Sequence, residues 1–531
     1  MIMAARTPYK AFPLHKIHVS LTFGSRAPFR AGVSSRCCVV SATSQSCESP
    51  SGSGSGPQES KAQSAVDNDV GNTLMGQGIQ GTSPASPSSR QFSGHSGQAS
   101  VSLKSSKRTR LVHDDDSRVI LKGLSMSELT YVLKNVAQVA QPARIAQRLF
   151  SAMYDVRAYI YRRKKQNAMP GLVASWDELE GHINAKTLDK LRRTCTLSGL
   201  VTLEDVQTSK DGTAKLVLRL DAAGKGASRE ELMAAGSTVE AVIIPDGAKR
   251  NTLCVSSQSG CGLNCQFCAT GRLGFRGNLN ACQVLEQMVI AARHVADHHA
   301  DGQHNMLTNV VYMGMGEPLA NLEAVKSSLE VLCEESVATF TIHANKITVS
   351  TSGLVPELNE LMETTRAQLA VSLHATEDET RDWMVPVNRK YQLDELIGAL
   401  ERWFPKDDVG ANGATNRWRS SVMIEYVLLQ GINDTDEDAK RLAHMLQNVR
   451  AKVNLIQFNP HAGTIFATTS GDASARFRDM LMRSGQREVS LRVSRGDDEN
   501  AACGQLAAGG SVDFAVPLSD VPARFQDAVV L

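Results

Sequence analysis

No apolar run in this 531-residue sequence reaches the roughly 18 residues that a membrane-spanning helix requires, so no membrane contact is expected. Net charge is almost absent as well. The 57 Lys and Arg stand against 55 Asp and Glu, and a sum near zero neither supports nor excludes a nucleic-acid partner, which must be sought in local clusters. The eleven cysteines lack the regular spacing of a disulfide framework. In a chain of this size, uneven cysteines with one tight trio indicate metal or redox chemistry in a reducing compartment. Residues 1–47 contain no Asp or Glu, carry Arg6, Lys10, Lys16, Arg26, Arg30 and Arg36, and turn Ser-rich toward their end. That is the composition of an organelle transit peptide, and the Ser-rich end favours a chloroplast over a mitochondrion. Residues 48–115 lack the apolar content to fold, being dominated through Ser106 by Ser, Gly, Pro and Gln, and read as a disordered linker.

Folded structure is expected from about residue 116. Ser125-Met-Ser-Glu128 has the form of a capping box ahead of an apolar-periodic stretch, and helical patterns recur over Ala143–Arg163 and Leu188–Leu197. Residues 116–200 therefore read as a small helical accessory domain. Its basic group Arg157, Arg162, Arg163, Lys164 and Lys165 either meets phosphates or compensates a helix dipole. Residues 201–247 read as a small antiparallel element with strands at Thr202–Val206, Ala214–Leu220 and Thr238–Ile244, interrupted by an inserted loop at 222–236.

Residues 248–510 alternate β-rich runs with helical stretches. The runs are Leu253–Ser257, Asn309–Met313, Lys346–Ser350, Gln368–Ser372, Val422–Leu428, Lys452–Gln457 and Val489–Val493. This α/β pattern predicts a partial (β/α)6-type barrel, in which chemistry gathers at the C-terminal ends of the strands. The unusual residues do fall there: Cys261 after the first run, Gly314-Met-Gly-Glu-Pro318 after the second, Ser350, Ser372-Leu-His374 and Asn459 after later ones, and Cys503 after the last. Residues 405–420 are a Gly- and Asn-rich insertion, and 511–531 a C-terminal tail.

Cys261, Cys265 and Cys268 follow the spacing C-x3-C-x2-C in a loop that Gly260 and Gly262 are expected to let curl. Three thiolates suit a 4Fe-4S cluster with one iron left open for a ligand. A structural zinc would need a fourth ligand, usually from a second paired knuckle, and Cys254 and Cys282 fit no such pairing.

Taken with Gly314-x-Gly316-Glu317-Pro318, this spacing resembles the radical S-adenosylmethionine (SAM) enzymes. Thr252-Leu-Cys-Val-Ser-Ser-Gln258, Ser372-Leu-His-Ala375, Asn454-Leu-Ile-x-x-Asn459-Pro460, Arg495-Gly-Asp-Asp498 and Ala502-Cys-Gly-Gln505 narrow the resemblance to the dual-specificity rRNA/tRNA adenine carbon-2 methyltransferases of the RlmN family, over about Val119 to Leu506. The resemblance implies a 4Fe-4S cluster on Cys261, Cys265 and Cys268, completed by SAM. It implies that Gly316 and Glu317 contact the amino end of SAM, and that Ser350, Ser372, Leu373, His374 and Asn459 make the remaining contacts.

Two SAM molecules serve each turnover by the same resemblance. One methylates Cys503; the other, cleaved reductively, gives a 5'-deoxyadenosyl radical that takes hydrogen from that methyl group. The methylene radical adds to carbon 2 of the adenine. Cys254 then attacks the sulfur of Cys503 to release the RNA, leaving a disulfide, and Glu240 is the proton acceptor; read without the resemblance, Glu240 is an outward residue of an edge strand. The implied partners are large-subunit rRNA, tRNA and an electron donor such as flavodoxin or ferredoxin, with the enzyme a monomer. A carbon-8 adenine methyltransferase of the same superfamily and a non-catalytic zinc-stabilised RNA-binding protein are the competing readings. Cys195, Cys282 and Cys333 read as core residues of helices, and Cys37, Cys38 and Cys47 belong in or beside the transit segment.

Overall fold

The computed structural model describes residues 111–529 apart from 163–167, 223, 248–249, 299–305, 341, 407–420, 493 and 508–514. The transit-peptide reading of 1–47, the linker reading through residue 110, and nearly all of the 405–420 insertion lie outside the described residues. The last residues assigned to the linker are structured, which corrects its boundary: the His113 N–H donates to the Lys225 carbonyl at 2.9 Å and the Gly224 N–H to the His113 carbonyl at 2.8 Å.

The helical part comprises strand β1 (Val119–Ile120), helices α1 (Met126–Asn135), α2 (Pro142–Tyr154), α3 (Val156–Arg162) and α4 (Ala185–Thr194), and strand β2 (Cys195–Thr196). The capping box at α1 forms as expected: the Glu128 N–H donates to Ser125 Oγ at 3.4 Å and the Ser125 N–H to Glu128 Oε2 at 2.9 Å. The last helix stops three residues short of the Leu197 its periodicity predicts. Cys195 pairs with Val119 and Thr196 with Ile120, so ladder bonds end the helix and Cys195 is a strand residue rather than a helical one. Arg162 lies 3.7 Å from Glu178, an ion pair within the domain.

The antiparallel part consists of β3 (Val201–Thr208), β4 (Ala214–Leu220), α5 (Arg229–Ala234) and β5 (Thr238–Asp246). The inserted loop expected at 222–236 contains α5, whose Ser228 and Glu231 form a second capping box. Then come β6 (Arg250–Cys254), the hairpin strands β7 (Gln258–Gly260) and β8 (Phe275–Asn278) with α6 (Ala269–Arg272) between them, and α7 (Ala281–His298). The alternation continues through β9 (Asn309–Tyr312), α8 (Leu322–Leu332), β10 (Ile347–Thr351), α9 (Val355–Thr364), β11 (Gln368–Ser372), α10 (Asp378–Met384) and α11 (Leu393–Trp403). It finishes with β12 (Val422–Leu428), α12 (Asp436–Met445), β13 (Ala451–Gln457), α13 (Gly471–Arg483) and β14 (Val489–Arg492). Cys333 is the C-cap of α8, one step outside the helix.

Ten strands form one sheet in the order β14-β13-β12-β11-β10-β9-β6-β5-β4-β3, with β6 and β9 through β14 all parallel. Here the structure departs from the sequence reading, which made the antiparallel element separate. All five residues of β6 pair with β5, from Asp246↔Arg250 to Val242↔Cys254. An open parallel sheet leaves the edge of its first strand unpaired, and β5 covers it. Glu240 consequently lies on an interior strand and is 1% exposed, not an outward edge residue.

A buried ion pair ties the helical part to the barrel. Lys122 Nζ sits 2.6 Å from Glu286 Oε2 of α7, with both side chains nearly inaccessible, and Gly199 leaves the room that the Glu286 carboxylate fills. Removing one partner strands the other charge in a medium of low dielectric. Lys122→Met should therefore cost about 3–5 kcal/mol in urea unfolding, while the double variant Lys122→Met/Glu286→Met should recover most of that loss.

Candidate active site

One cavity opens at the C-terminal ends of the parallel strands, and ten of the thirteen expected site residues line it: Cys254, Cys261, Cys265, Cys268, Gly316, Glu317, Ser350, Ser372, His374 and Cys503. Leu373, Asn459 and Glu240 stand behind this wall. Leu373 is buried, and its N–H donates to the Glu425 carbonyl at 3.0 Å, joining β11 to β12.

The cysteine loop is closed at its base by the β7–β8 hairpin. Gly260 takes a left-handed φ of +68°, and a Cβ there would collide with the Gly274 carbonyl, to which the neighbouring Cys261 N–H donates at 3.0 Å. Gly262 carries no such constraint, contrary to the sequence reading; the second left-handed residue is Asn264, at φ +50°. The three thiols are free and partly exposed, but only to a cavity in which protein rather than bulk water surrounds them. That environment pushes Cys261 up to about 12 and raises Cys265 and Cys268, each neighbouring sulfur adding to the effect at Cys265. A cationic group must compensate three such sulfurs before they ionise. A structural zinc would require a fourth protein ligand, and among the described residues no Cys or His other than these three thiols belongs to the cysteine loop. A cubane, whose irons occupy separate corners, fits three soft donors on one loop.

Gly316 follows β9 at φ +97°, and a Cβ there would lie 2.5 Å from Gln258 Cβ. The Glu317 N–H donates to Gln258 Oε1 at 2.9 Å, and its own carboxylate oxygens accept the N–H groups of Leu319 (3.0 Å) and Ser352 (2.8 Å). The Thr351 and Ser352 side chains also hydrogen-bond this carboxylate. Burial still leaves the Glu317 carboxyl above the usual carboxylate range.

His374 sits at φ +62°. The Val427 N–H donates to its Nδ1 at 3.1 Å, and Asn433 Nδ2 to its carbonyl at 2.7 Å. Burial, helped by the Arg381 guanidinium, lowers the ring from its usual value near 6.5 to about 3. With Nδ1 accepting, the neutral tautomer carries its proton on Nε2 as a hydrogen-bond donor. Arg381, which the sequence reading passed over, is wholly buried and donates to the carbonyls of Leu373 (2.9 Å), Ser352 (2.7 Å) and Ser372 (3.2 Å), latching the ends of β10 and β11 together.

Cys503 reaches the cavity on the loop 494–507 after β14, which is pinned from three directions. Lys215 Nζ donates to the Glu499 carbonyl (2.6 Å), Arg495 Nη1 to the Pro245 carbonyl (3.1 Å), and the Ala507 N–H to Glu240 Oε2 (2.9 Å). From the cysteine loop, the Ala269 N–H donates to the Gly504 carbonyl (2.9 Å) and Thr270 Oγ1 to the Leu506 carbonyl (2.6 Å). From the end of β13, Asn459 Nδ2 donates to the Cys503 carbonyl at 3.2 Å. Cys254 is buried at the end of β6, and burial together with the nearby Cys503 sulfur raises it to about 12; Cys503 is the exposed member of the pair, and the protein around its cavity raises it less, to about 11. Sequence reasoning also missed Glu425 and Arg492, which line the same cavity; each sits mid-strand or at a strand end in an otherwise apolar run, the one signal available.

The neutral His374 has a consequence for acid stability. Below about pH 6.5 the unfolded chain takes up a proton that the folded chain refuses until about pH 3, so stability must fall as pH falls through that window, by up to about 1.4 kcal/mol per pH unit. His374→Gln should flatten the acid limb of stability by about one proton, read from urea midpoints against pH.

A family model described as the radical SAM superfamily matches residues 255–446. The dual-specificity RNA methyltransferase RlmN of Marinobacter nauticus is 40% identical over 318 residues, 60% of this chain and 78% of its own. The RlmN of Geobacter sulfurreducens is 37% identical over 402 residues, 76% of this chain and 95% of its own. A crystal structure of a radical SAM methyltransferase from Sphaerobacter thermophilus superposes with a TM-score of 0.59 at 34% identity, covering 75% of this chain and 99% of that one. The chain belongs to the RlmN family of dual-specificity RNA methyltransferases, within the radical SAM superfamily.

Proposed function

We propose that this protein methylates carbon 2 of an adenine in large-subunit rRNA, with a tRNA adenine as second substrate, using its own Cys503 as methyl carrier. The observation that carries the reading is the convergence of Cys254, Cys503 and the three-thiol loop on one cavity. The relatives' names supply the RNA substrate class. Cys261, Cys265 and Cys268 would hold a 4Fe-4S cluster, which when bound would supply one-electron reducing chemistry for SAM cleavage.

The remaining work falls to the chain itself. Gly316 gives backbone access and Glu317 accepts from the amino end of SAM. Ser350, Ser372 and the Nε2–H of His374 offer hydrogen bonds to its polar edges, while Leu373 and Asn459 support the wall and the Cys503 loop. Cys503 is methylated by one SAM and carries the resulting one-carbon unit to the adenine; a second SAM is consumed in activating it. Glu240 accepts a proton, and Cys254 releases the product by forming a disulfide with Cys503. A donor of the flavodoxin or ferredoxin kind provides electrons, and the enzyme acts as a monomer. The helical part at 116–200 grips the RNA. The acid-free, basic composition of 1–47 supports delivery to the chloroplast, with the mitochondrion as the alternative.

Anaerobic reconstitution tests the reading. Iron and sulfide should be taken up, with SAM cleaved to 5'-deoxyadenosine under a strong reductant and 2-methyladenosine recovered from the RNA. Substituting Cys261, Cys265 or Cys268 with Ala should abolish iron uptake and cleavage together. Stoichiometric zinc without SAM cleavage would sink the proposal, and recovery of 8-methyladenosine would transfer it to the carbon-8 branch.

A further inference from the structure

The methyl-transfer reading has no use for the C-terminal tail, yet residues 515–529 return to the cysteine loop and hold it at two points. The Ser519 N–H donates to Gln266 Oε1 at 2.6 Å, and the Val516 N–H donates at 3.0 Å to the carbonyl of Arg272, the last residue of α6.

Gln266 stands between Cys265 and Cys268 in the chain and is wholly buried. Its side chain works in two directions. Oε1 accepts from the tail, while Nε2 donates at 2.7 Å to the carbonyl of Asn264, the left-handed residue that precedes Cys265. The Gln266 N–H donates to the Met384 carbonyl at the end of α10 at 3.0 Å. Both chain neighbours of Cys265 are therefore fixed through this one residue. Deprived of the Ser519 N–H, its buried amide oxygen loses a hydrogen bond that water is poorly placed to replace.

The rest of the tail is anchored by packing and charge. In the turn Ala523–Phe525, Phe525 is buried and stacks on Trp383 of α10, with 5.4 Å between ring centroids and 19° between planes. Both rings belong to an apolar cluster with Phe458 and Phe466, and Cys265 and Phe267 of the cysteine loop pack against that same cluster. Arg524 Nη2 donates to Thr380 Oγ1 at 2.6 Å, and Nη1 lies 3.4 Å from Glu377 and 3.3 Å from Glu379. Cys265 and Phe525 share one small core.

We propose that the C-terminal segment is a strap that positions Cys265 for cluster binding, with Phe525 as its anchor and the Ser519 N–H as its hold on the loop. The inference rests on the reading of Cys261, Cys265 and Cys268 as cluster ligands. A ligand-bearing loop that is ordered in advance gives up little freedom when the group binds. An outer partner that fixes a ligand's orientation is worth about tenfold to a hundredfold in metal affinity.

Two measurements on the full chain test the strap. In the anaerobically reconstituted chain, Ser519→Pro, which removes the N–H, and Phe525→Ala, which removes the anchor, should each release iron to a ferrous chelator about tenfold faster. Ser519→Ala keeps the N–H and should match the parent. In the metal-free chain, iodoacetamide labelling resolved by peptide mass spectrometry should quicken at Cys265 in Ser519→Pro and Phe525→Ala and stay unchanged at Cys333, the C-cap of α8. Iron release at the parental rate in both variants would overturn the strap and leave the cluster reading intact. Labelling that quickens equally at Cys265 and Cys333 would mark a general loosening and overturn it too. A parent chain that takes up no iron would remove the cluster reading, and the strap with it.

Discussion

The site depends on how the chain after β14 returns to the other side of the sheet. Cys503 stands 249 residues from Cys254, and what brings their sulfurs into one cavity is a set of hydrogen bonds from the 494–507 loop to strands β4 and β5, to the cysteine loop and to Asn459. A loop that must order a dozen residues pays conformational entropy for each. Backbone and buried side-chain hydrogen bonds offset that cost because their partners sit on strands already fixed by the sheet. The antiparallel strands thus do two jobs: they cover the edge of β6, which carries Cys254, and they offer Lys215, Pro245 and Glu240 as anchors for the loop that carries Cys503.

Much of this was legible in the sequence, for physical reasons that differ by element. Gln368–Ser372 and Val422–Leu428 match β11 and β12 residue for residue, because buried parallel strands must be apolar on both faces and are bounded by polar turns. The residues at strand ends were legible because a side chain that performs chemistry interrupts that pattern. Pairing partners were not legible: nothing local in Thr238–Asp246 says that it hydrogen-bonds to β6, so the continuous sheet and the burial of Glu240 emerged only with the structure. Cys195 was misplaced for a related reason, since tertiary pairing with Val119 overrides its helical periodicity.

Charged groups reach both the cysteine loop and the Cys254–Cys503 pair. Toward the cysteine loop, the buried Arg381 guanidinium helps keep His374 neutral and favours ionisation of Cys265, but burial still leaves all three thiols raised. Toward β14, Arg492 and Glu425 set opposing fields at Cys503. Arg381, though a cation, spends its donors on strand-end carbonyls and shapes the wall from behind.

The central claim is that Cys254 and Cys503 act as a pair, one carrying the transferred carbon and the other releasing it. The most direct measurement is mass spectrometry of Cys254→Ala protein purified after expression with RNA present. The account predicts RNA bound covalently through the peptide containing Cys503. Recovery of only free protein and free RNA from that variant, while the parent chain methylates RNA, would contradict it.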